Sequence, residues 1–389
     1  MKPARLWLRS GGVRRRSRLG LLPGGVLWAA LVLLGSSCGG GTSGPTTTGI
    51  RPAGGVTTST FEPSQPTTTT TISAAEPTTT TSSAEVADVV LLRESPVLRE
   101  NRYNDPGAIV DTGDGYLMFS NQYLTWPPNV EVHVFRSDDG LVWEPASTEP
   151  VIAFADTGAP AASFLRSVLA EPDGTWTAFF YSYGGSGTRT PLSVGRASAP
   201  ALAGPWSVDP APVFGVGSGW DSGEIATPNV LRTDTGYVMF YTGGPGDGIT
   251  GIGRAESTDG ITWERAEEPV LEGTGDSADW DGARVSQPNV IALESGFAML
   301  HKGNSTTGFG QRHGIACAAS LDSDATWERV GAEPIVDPAL VPGGDLLFST
   351  ELTRIDGRVV LYAEVSQDPT GASTKVFALG LPLLEGLHC

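Results

Sequence analysis

Cysteine, histidine and basic side chains are all scarce in this 389-residue chain, which has 3 Cys, 4 His and 25 Lys plus Arg against 43 Asp plus Glu. Three cysteines are too few for a disulfide framework and match no metal-binding spacing. Four scattered histidines, with His301 in an apolar run, offer no metal cluster, so neither a metal nor another cofactor is expected. So acidic a surface repels phosphate backbones, which excludes nucleic acid as a partner. A spanning helix is excluded near the start, because the apolar run over residues 21–34 falls short of the ~20 residues a bilayer requires.

That run does fit an export signal. Seven basic residues (Lys2, Arg5, Arg9, Arg14, Arg15, Arg16, Arg18) and no acidic one precede Gly35-Ser36-Ser37-Cys38. A basic start, a short apolar stretch and small residues before a cysteine are expected of a lipoprotein signal over 1–37, with Cys38 lipidated. One lipid-bearing terminus would tether the chain to a membrane at the cell surface, and simple secretion or an uncleaved anchor is the alternative. Without that segment, 18 basic against 43 acidic residues leave a formal charge of −25.

Residues 38–85 are almost wholly Gly, Ser, Thr, Pro and Ala, with threonine runs at 67–71 and 78–81. So few large apolar groups cannot offset the entropy of ordering, and the segment is predicted to be a disordered stalk. Fully extended, it would reach ~140 Å at ~3.1 Å per residue.

From residue 86 to 389 the pattern changes to short β-branched and aromatic runs between Gly, Asp and Pro, as expected of many antiparallel strands. The runs repeat. Ser137-Asp138-Asp139-Gly140 leads to Trp143 and Ser257-Thr258-Asp259-Gly260 to Trp263, with looser copies ending at Trp206 and Trp327. These tryptophans are 63, 57 and 64 residues apart, a spacing suited to a four-stranded propeller blade. Glu149-Pro150-Val151, Ala211-Pro212-Val213, Glu268-Pro269-Val270 and Glu333-Pro334-Ile335 follow the hairpins, and a fifth copy, Ser95-Pro96-Val97, precedes them all. Five opening strand pairs then predict an all-β fold, a five-bladed β-propeller of four-stranded antiparallel blades. The last blade lacks a fourth strand of its own, which residues 86–98 would supply to close the ring. The repeated Asp and Trp are turn and packing residues on this reading. Cys317 falls in an apolar strand and is expected to be a buried thiol, without a bridge to Cys389.

Asn104-Asp105-Pro106, the Ser/Asp/Gly/Trp hairpins and the segment Trp220-Asp221-Ser222-Gly223-Glu224-Ile225-Ala226-Thr227-Pro228-Asn229-Val230 resemble the five-bladed propellers of glycoside hydrolase families 32, 43 and their relatives, over about residues 88–383. The resemblance implies an exported hydrolase of a polysaccharide or oligosaccharide, monomeric, with paired carboxylates at the propeller mouth. Asp105 matches the family's base or nucleophile. The general acid would come two residues before Pro228, where this chain has Ala226. Glu224 is the nearest acid, on the same strand face but displaced by ~6 to 7 Å. The third acid, in blade 2, is replaced in Leu165-Arg166-Ser167-Val168. Two carboxylates must flank a scissile bond, ~6.5 to 9.5 Å apart for inversion or ~5 to 5.5 Å for retention. Partners for Asp105 are Glu224, Asp221, Asp281 and Glu351, with Glu351 in the last inner strand taken as a third catalytic candidate. Tyr103, Trp220 and Trp280 could stack on a sugar, and Arg166, Asp221, Asn229, Asp281, Arg284 and Asn289 could bond its hydroxyls. The alternative is a non-catalytic carbohydrate-binding propeller that has lost the blade 2 acid. A protein-binding scaffold would require a mouth plugged by the loop between Thr157 and Ser163.

Overall fold

The computed structural model describes residues 89–389 apart from 99–101, 126–127, 184–190, 247–248, 306–310 and 372. The predicted signal, Cys38 and the stalk lie outside the described residues.

The described chain is built almost entirely of antiparallel strands in successive meanders. The first runs Tyr103–Asp111, Tyr116–Tyr123, Glu131–Ser137 and Glu144–Pro145. The second opens with Ser163–Ala170, Trp176–Tyr183 and Pro191–Ala199, the third with Glu224–Thr233, Gly236–Gly244 and Gly251–Ser257. The fourth opens with Arg284–Ala292, Phe297–Asn304 and Arg312–Ala318. The fifth consists of Leu346–Ile355, Arg358–Ser366 and Lys375–Gly380. Its outer place is filled from the other end of the domain, where Val90–Leu91 pairs antiparallel with Gly380 and Leu379. One parallel pair, Leu192 with Ile225, fuses the second and third meanders into a ten-stranded sheet.

Each strand can bury both faces because a neighbouring meander lies on either side. The apolar clusters show this directly. Phe119 and Ala108 pack with Leu165 and Ala178, Phe179 with Met239, Phe240 with Met299, Leu300 with Leu361, and Tyr362 with Met118. The cores therefore link first to second, second to third, third to fourth, fourth to fifth, and fifth back to first. The opening strand of each meander is the innermost, and these five strands neighbour one another in the same closed order.

The hairpin motif is a bonded unit. Ser137 Oγ accepts from the Gly140 N–H at 2.8 Å, and Asp139 Oδ1 accepts from Leu141 and Val142 at 2.8 and 2.9 Å. Gly140 has φ +71°, a left-handed value that a side chain would strain. Ser257, Asp259 and Gly260 repeat the arrangement. The turn aims its tryptophan at the preceding meander. Trp206 meets Phe119 at 6.0 Å, Trp263 meets Phe179 at 5.8 Å, Trp327 meets Phe240 at 5.3 Å, and Trp143 meets Tyr362 at 5.7 Å. All four contacts are edge-to-face, the geometry favoured by the ring quadrupole.

One expectation is corrected. Cys317 is not a free thiol but is bonded to Cys389, with Cα atoms 5.4 Å apart, so the tail is fastened to the third strand of the fourth meander. The backbone N–H of Cys389 donates to Ser295 O in the turn between the first two strands of that meander, a proximity that spacing along the chain could not reveal.

Trp143 joins the first meander to the last, since Tyr362 Oη also donates to Gly140 O at 2.7 Å. Trp143→Ala is expected to lower unfolding free energy by ~3–5 kcal/mol, measured by urea denaturation.

Candidate functional site

Each inner strand carries a bulge near its middle, where its register against the second strand slips. The slips fall between Asp105 and Ala108, Leu165 and Ser167, Ala226 and Asn229, Ser286 and Asn289, and Leu347 and Thr350. At two of them a non-glycine residue takes a left-handed φ, Thr227 at 43° and Gln287 at 50°. A bulge re-aims side chains but breaks the ladder, and the freed backbone groups then need other partners.

Side chains of adjoining meanders supply them. Asn121 bonds both the N–H and the carbonyl of Leu165, at 2.9 and 2.8 Å. Ser167 Oγ accepts from Val230 N at 3.0 Å, and Asn229 Oδ1 accepts from Val290 N at 3.0 Å. Asn289 Nδ2 donates to Thr350 O at 3.3 Å. Asn229 and Asn289, two of the expected sugar-binding residues, are thus engaged in joining strands.

The charged residues gather beneath this ring. Arg166 donates through Nη1 to Asp105 Oδ1 at 2.9 Å and through Nη2 to Thr350 O at 2.7 Å, with Glu351 Oε2 3.6 Å away. Asp105 and Arg166 are 2% and 4% exposed, too little for direct access by a polymer. Glu364 accepts from Thr374 Oγ1 at 2.7 Å, and Lys302 Nζ donates to Phe348 O at 2.9 Å. Burial pushes the Asp105 carboxyl upward while Arg166 pulls it down, and the upward effect prevails. Glu351 rises to about 8 through burial, against the opposing pull of Arg166. Burial and then the Asp105 charge take Glu364 to about 8, and burial lowers Lys302 to about 7.

The open space is elsewhere. A cavity of about 440 Å³ lies over the second, third and fourth meanders, lined by Tyr181, Tyr183, Glu224, Arg284, Gln287 and Lys302 among others. Arg284 Nη2 donates to both oxygens of Glu224, at 2.9 and 3.0 Å. Among the described residues Glu224 is the only carboxylate on the wall, since neither Asp105 nor Glu351 reaches it. The strand register places Ala226 where Asp105 stands in the first meander, each being the last paired residue before its bulge.

Such a set of inner-strand polar groups beside a cavity invites comparison with known structures. No family model and no curated protein matches the sequence. Solved structures do match. A thermostable family-43 glycoside hydrolase aligns over 71% of this chain and 89% of its own at TM-score 0.57 and 17% identity. The fold is that of the glycoside hydrolase propellers. Another glycoside hydrolase structure aligns at TM-score 0.60 and 16% identity, covering 75% of this chain and 90% of that one. The GH43_1 enzyme from Xanthomonas citri complexed with xylose aligns at 0.52 and 15%, covering 74% and 89%.

Within this propeller the aromatic and acidic candidates of the meander openings have structural partners. Trp220 stacks on Tyr241 at 6.1 Å, and Trp280 stacks on His301 at 5.4 Å while donating to Ala332 O. Asp221, 1% exposed, accepts from Tyr241 Oη at 2.9 Å and pairs with Arg265; Asp281, 2% exposed, pairs with Arg329 at 2.8 Å. These contacts compensate charge and pack rings between strands. Tyr103 stacks on Tyr123 at 4.6 Å and stays partly exposed. His301 sits wholly buried beside Trp280, its ring nitrogens unbonded and its pKa lowered to about 3 by burial.

Tyr181, Tyr183, Lys302 and Glu364 were missed. The signal for the last two was a lone charge inside an otherwise buried second strand, as in Arg358–Ser366.

Two predictions follow from the charged cluster. Glu351 holds its proton in the fold up to about 8 but only to its ordinary 4.5 when unfolded. Its stabilising contribution is therefore complete below 4.5 and lost as pH rises through about 8. Glu351→Gln should flatten the fall in stability between about pH 7, above the ordinary histidine value of 6.5, and pH 8, read from urea midpoints at successive pH values. Arg166→Met should leave Asp105 buried without its partner, with a loss of ~3–5 kcal/mol by the same assay.

Proposed function

We propose that the five meanders are the blades of a five-bladed propeller that binds carbohydrate outside the cell without hydrolysing it. One observation carries this reading: Asp105 and Glu224, the expected base and acid, are each held by an arginine and do not face a common cavity. Hydrolysis needs two carboxylates free to exchange protons across one bond. Here the position of the acid is Ala226, and the guanidinium of Arg166 occupies the space between the buried Asp105 and Glu351. The cavity retains what recognition needs, namely tyrosine rings, amides and an ion pair at its wall. Glycoside hydrolases among the structural relatives support the carbohydrate class.

Export fits the same picture. The basic, apolar and small-residue order before Cys38 suits a lipoprotein signal, and residues 38–85 suit a stalk. A disulfide between Cys317 and Cys389 belongs in an oxidising compartment.

A second reading, an active hydrolase, is favoured by Glu351. A carboxyl protonated up to about 8 and close to Asp105 across Arg166 is the kind of unequal pair that acid–base chemistry employs.

The full-length protein is to be titrated with a panel of poly- and oligosaccharides, with product release followed in parallel for Asp105→Asn and Glu351→Gln. The expected result is binding without products, with affinity changed by less than ~threefold in either variant. Turnover that disappears in both variants would install the hydrolase reading instead.

A further inference from the structure

The cavity has unused bonding capacity of two kinds. A guanidinium carries five donors, and Arg284 directs only Nη2 at Glu224, while its side chain remains 38% exposed. Lys302 gives one of three ammonium protons to Phe348 O. Against these donors stand two acceptors: the side-chain oxygens of Gln287 and Gln311 are buried on the cavity wall with no hydrogen-bond partner. A buried amide oxygen left unmet costs about 1–3 kcal/mol, so a donor from a ligand would be welcome there. The charge is also inverted relative to the rest of the molecule. Two cationic side chains and one carboxylate line the cavity among the described residues, in a chain with 43 acidic and 25 basic residues.

We propose that this cavity is a subsite for an acidic sugar, a hexuronate unit of a glycan, with its carboxylate against Arg284 and Lys302 and its hydroxyls donating to Gln287 and Gln311. A ligand with one anionic group and several hydroxyls satisfies both kinds of open valence at once; a neutral sugar leaves the wall with two cations against the single carboxylate of Glu224. A cavity of about 440 Å³ is in the size range of small-molecule sites. This deepens the carbohydrate-binding reading and rests on it.

Lys302 adds a pH signature. Arg284 and Arg166 oppose its charge, Asp105 and Glu364 support it, and His313 also faces it. Burial leaves the ammonium titrating at about 7. Uronate binding draws on the charged form, so affinity should fall as pH rises through that value, while a neutral sugar should respond little.

The test is calorimetric titration of the full-length protein with α-1,4-linked digalacturonate and with the neutral galactose disaccharide of the same linkage. The acidic ligand is expected to bind at least ~tenfold more tightly, as a charge-assisted pair would give. Arg284→Gln should remove most of that preference, weakening the acidic ligand at least ~tenfold more than the neutral one, and Arg284→Lys should restore part of it. Because Arg284 also partners Glu224, Lys302→Gln serves as an independent variant. It should abolish the pH dependence of uronate binding across about pH 6 to 8 without disturbing the Glu224 pair. Equal affinity for the two ligands, or equal weakening of both in Arg284→Gln, would overturn the acidic subsite and leave the carbohydrate reading intact. Failure of every glycan in the wider panel to bind would remove both.

Discussion

Where the opening strands of five meanders neighbour one another in a closed order, they do not hydrogen-bond to one another as a ladder, and the bulges that aim their side chains leave backbone groups without partners. The structure depends on how that deficit is met. Asn121, Ser167, Asn229 and Asn289 each reach from one meander to the backbone of the next. Arg166 spans the first and fifth meanders from its place in the second. All but the half-buried Asn229 are buried, so these must be satisfied by protein, and an apolar replacement would strand its partner.

The same constraint shapes the site. A ring stitched by amides and one guanidinium holds Asp105 and Glu351 where solvent barely reaches them; Arg166 meets Asp105, and Glu351 keeps its proton up to about 8. The accessible cavity forms to one side, over the second to fourth meanders, where Glu224 and Arg284 pair at the wall. In the proposed function, recognition by cations, amides and aromatic rings takes the place of chemistry requiring two exposed acids. The inter-sheet cores, such as Phe179 with Met239, are apolar and independent of these polar groups.

Repeated features were legible from the residues because each copy obeys local rules. Asp139 and Asp259 organise their turns through bonds within three residues, and the tryptophan that follows each turn needs only a neighbouring sheet to pack on. The spare strand before the first hairpin pointed to the pairing of Val90–Leu91 with the last sheet. Trp220, Asp221, Trp280 and Asp281 were harder to read, because a stacking ring or a buried carboxylate looks alike in sequence whether it meets a ligand or Tyr241, Arg265, His301 or Arg329.

The sequence by itself determined an all-β chain of repeated antiparallel units, the turn chemistry of its hairpins and the loss of the expected acids at Ala226 and Ser167. These follow from periodicity and from side-chain type. Only the tertiary structure decided that Arg166 neutralises Asp105, that Lys302 and Glu364 lie buried near them, and that Cys317 meets Cys389. Each of those outcomes depends on the distance between groups far apart in the chain, and that distance is set by how the sheets close on one another.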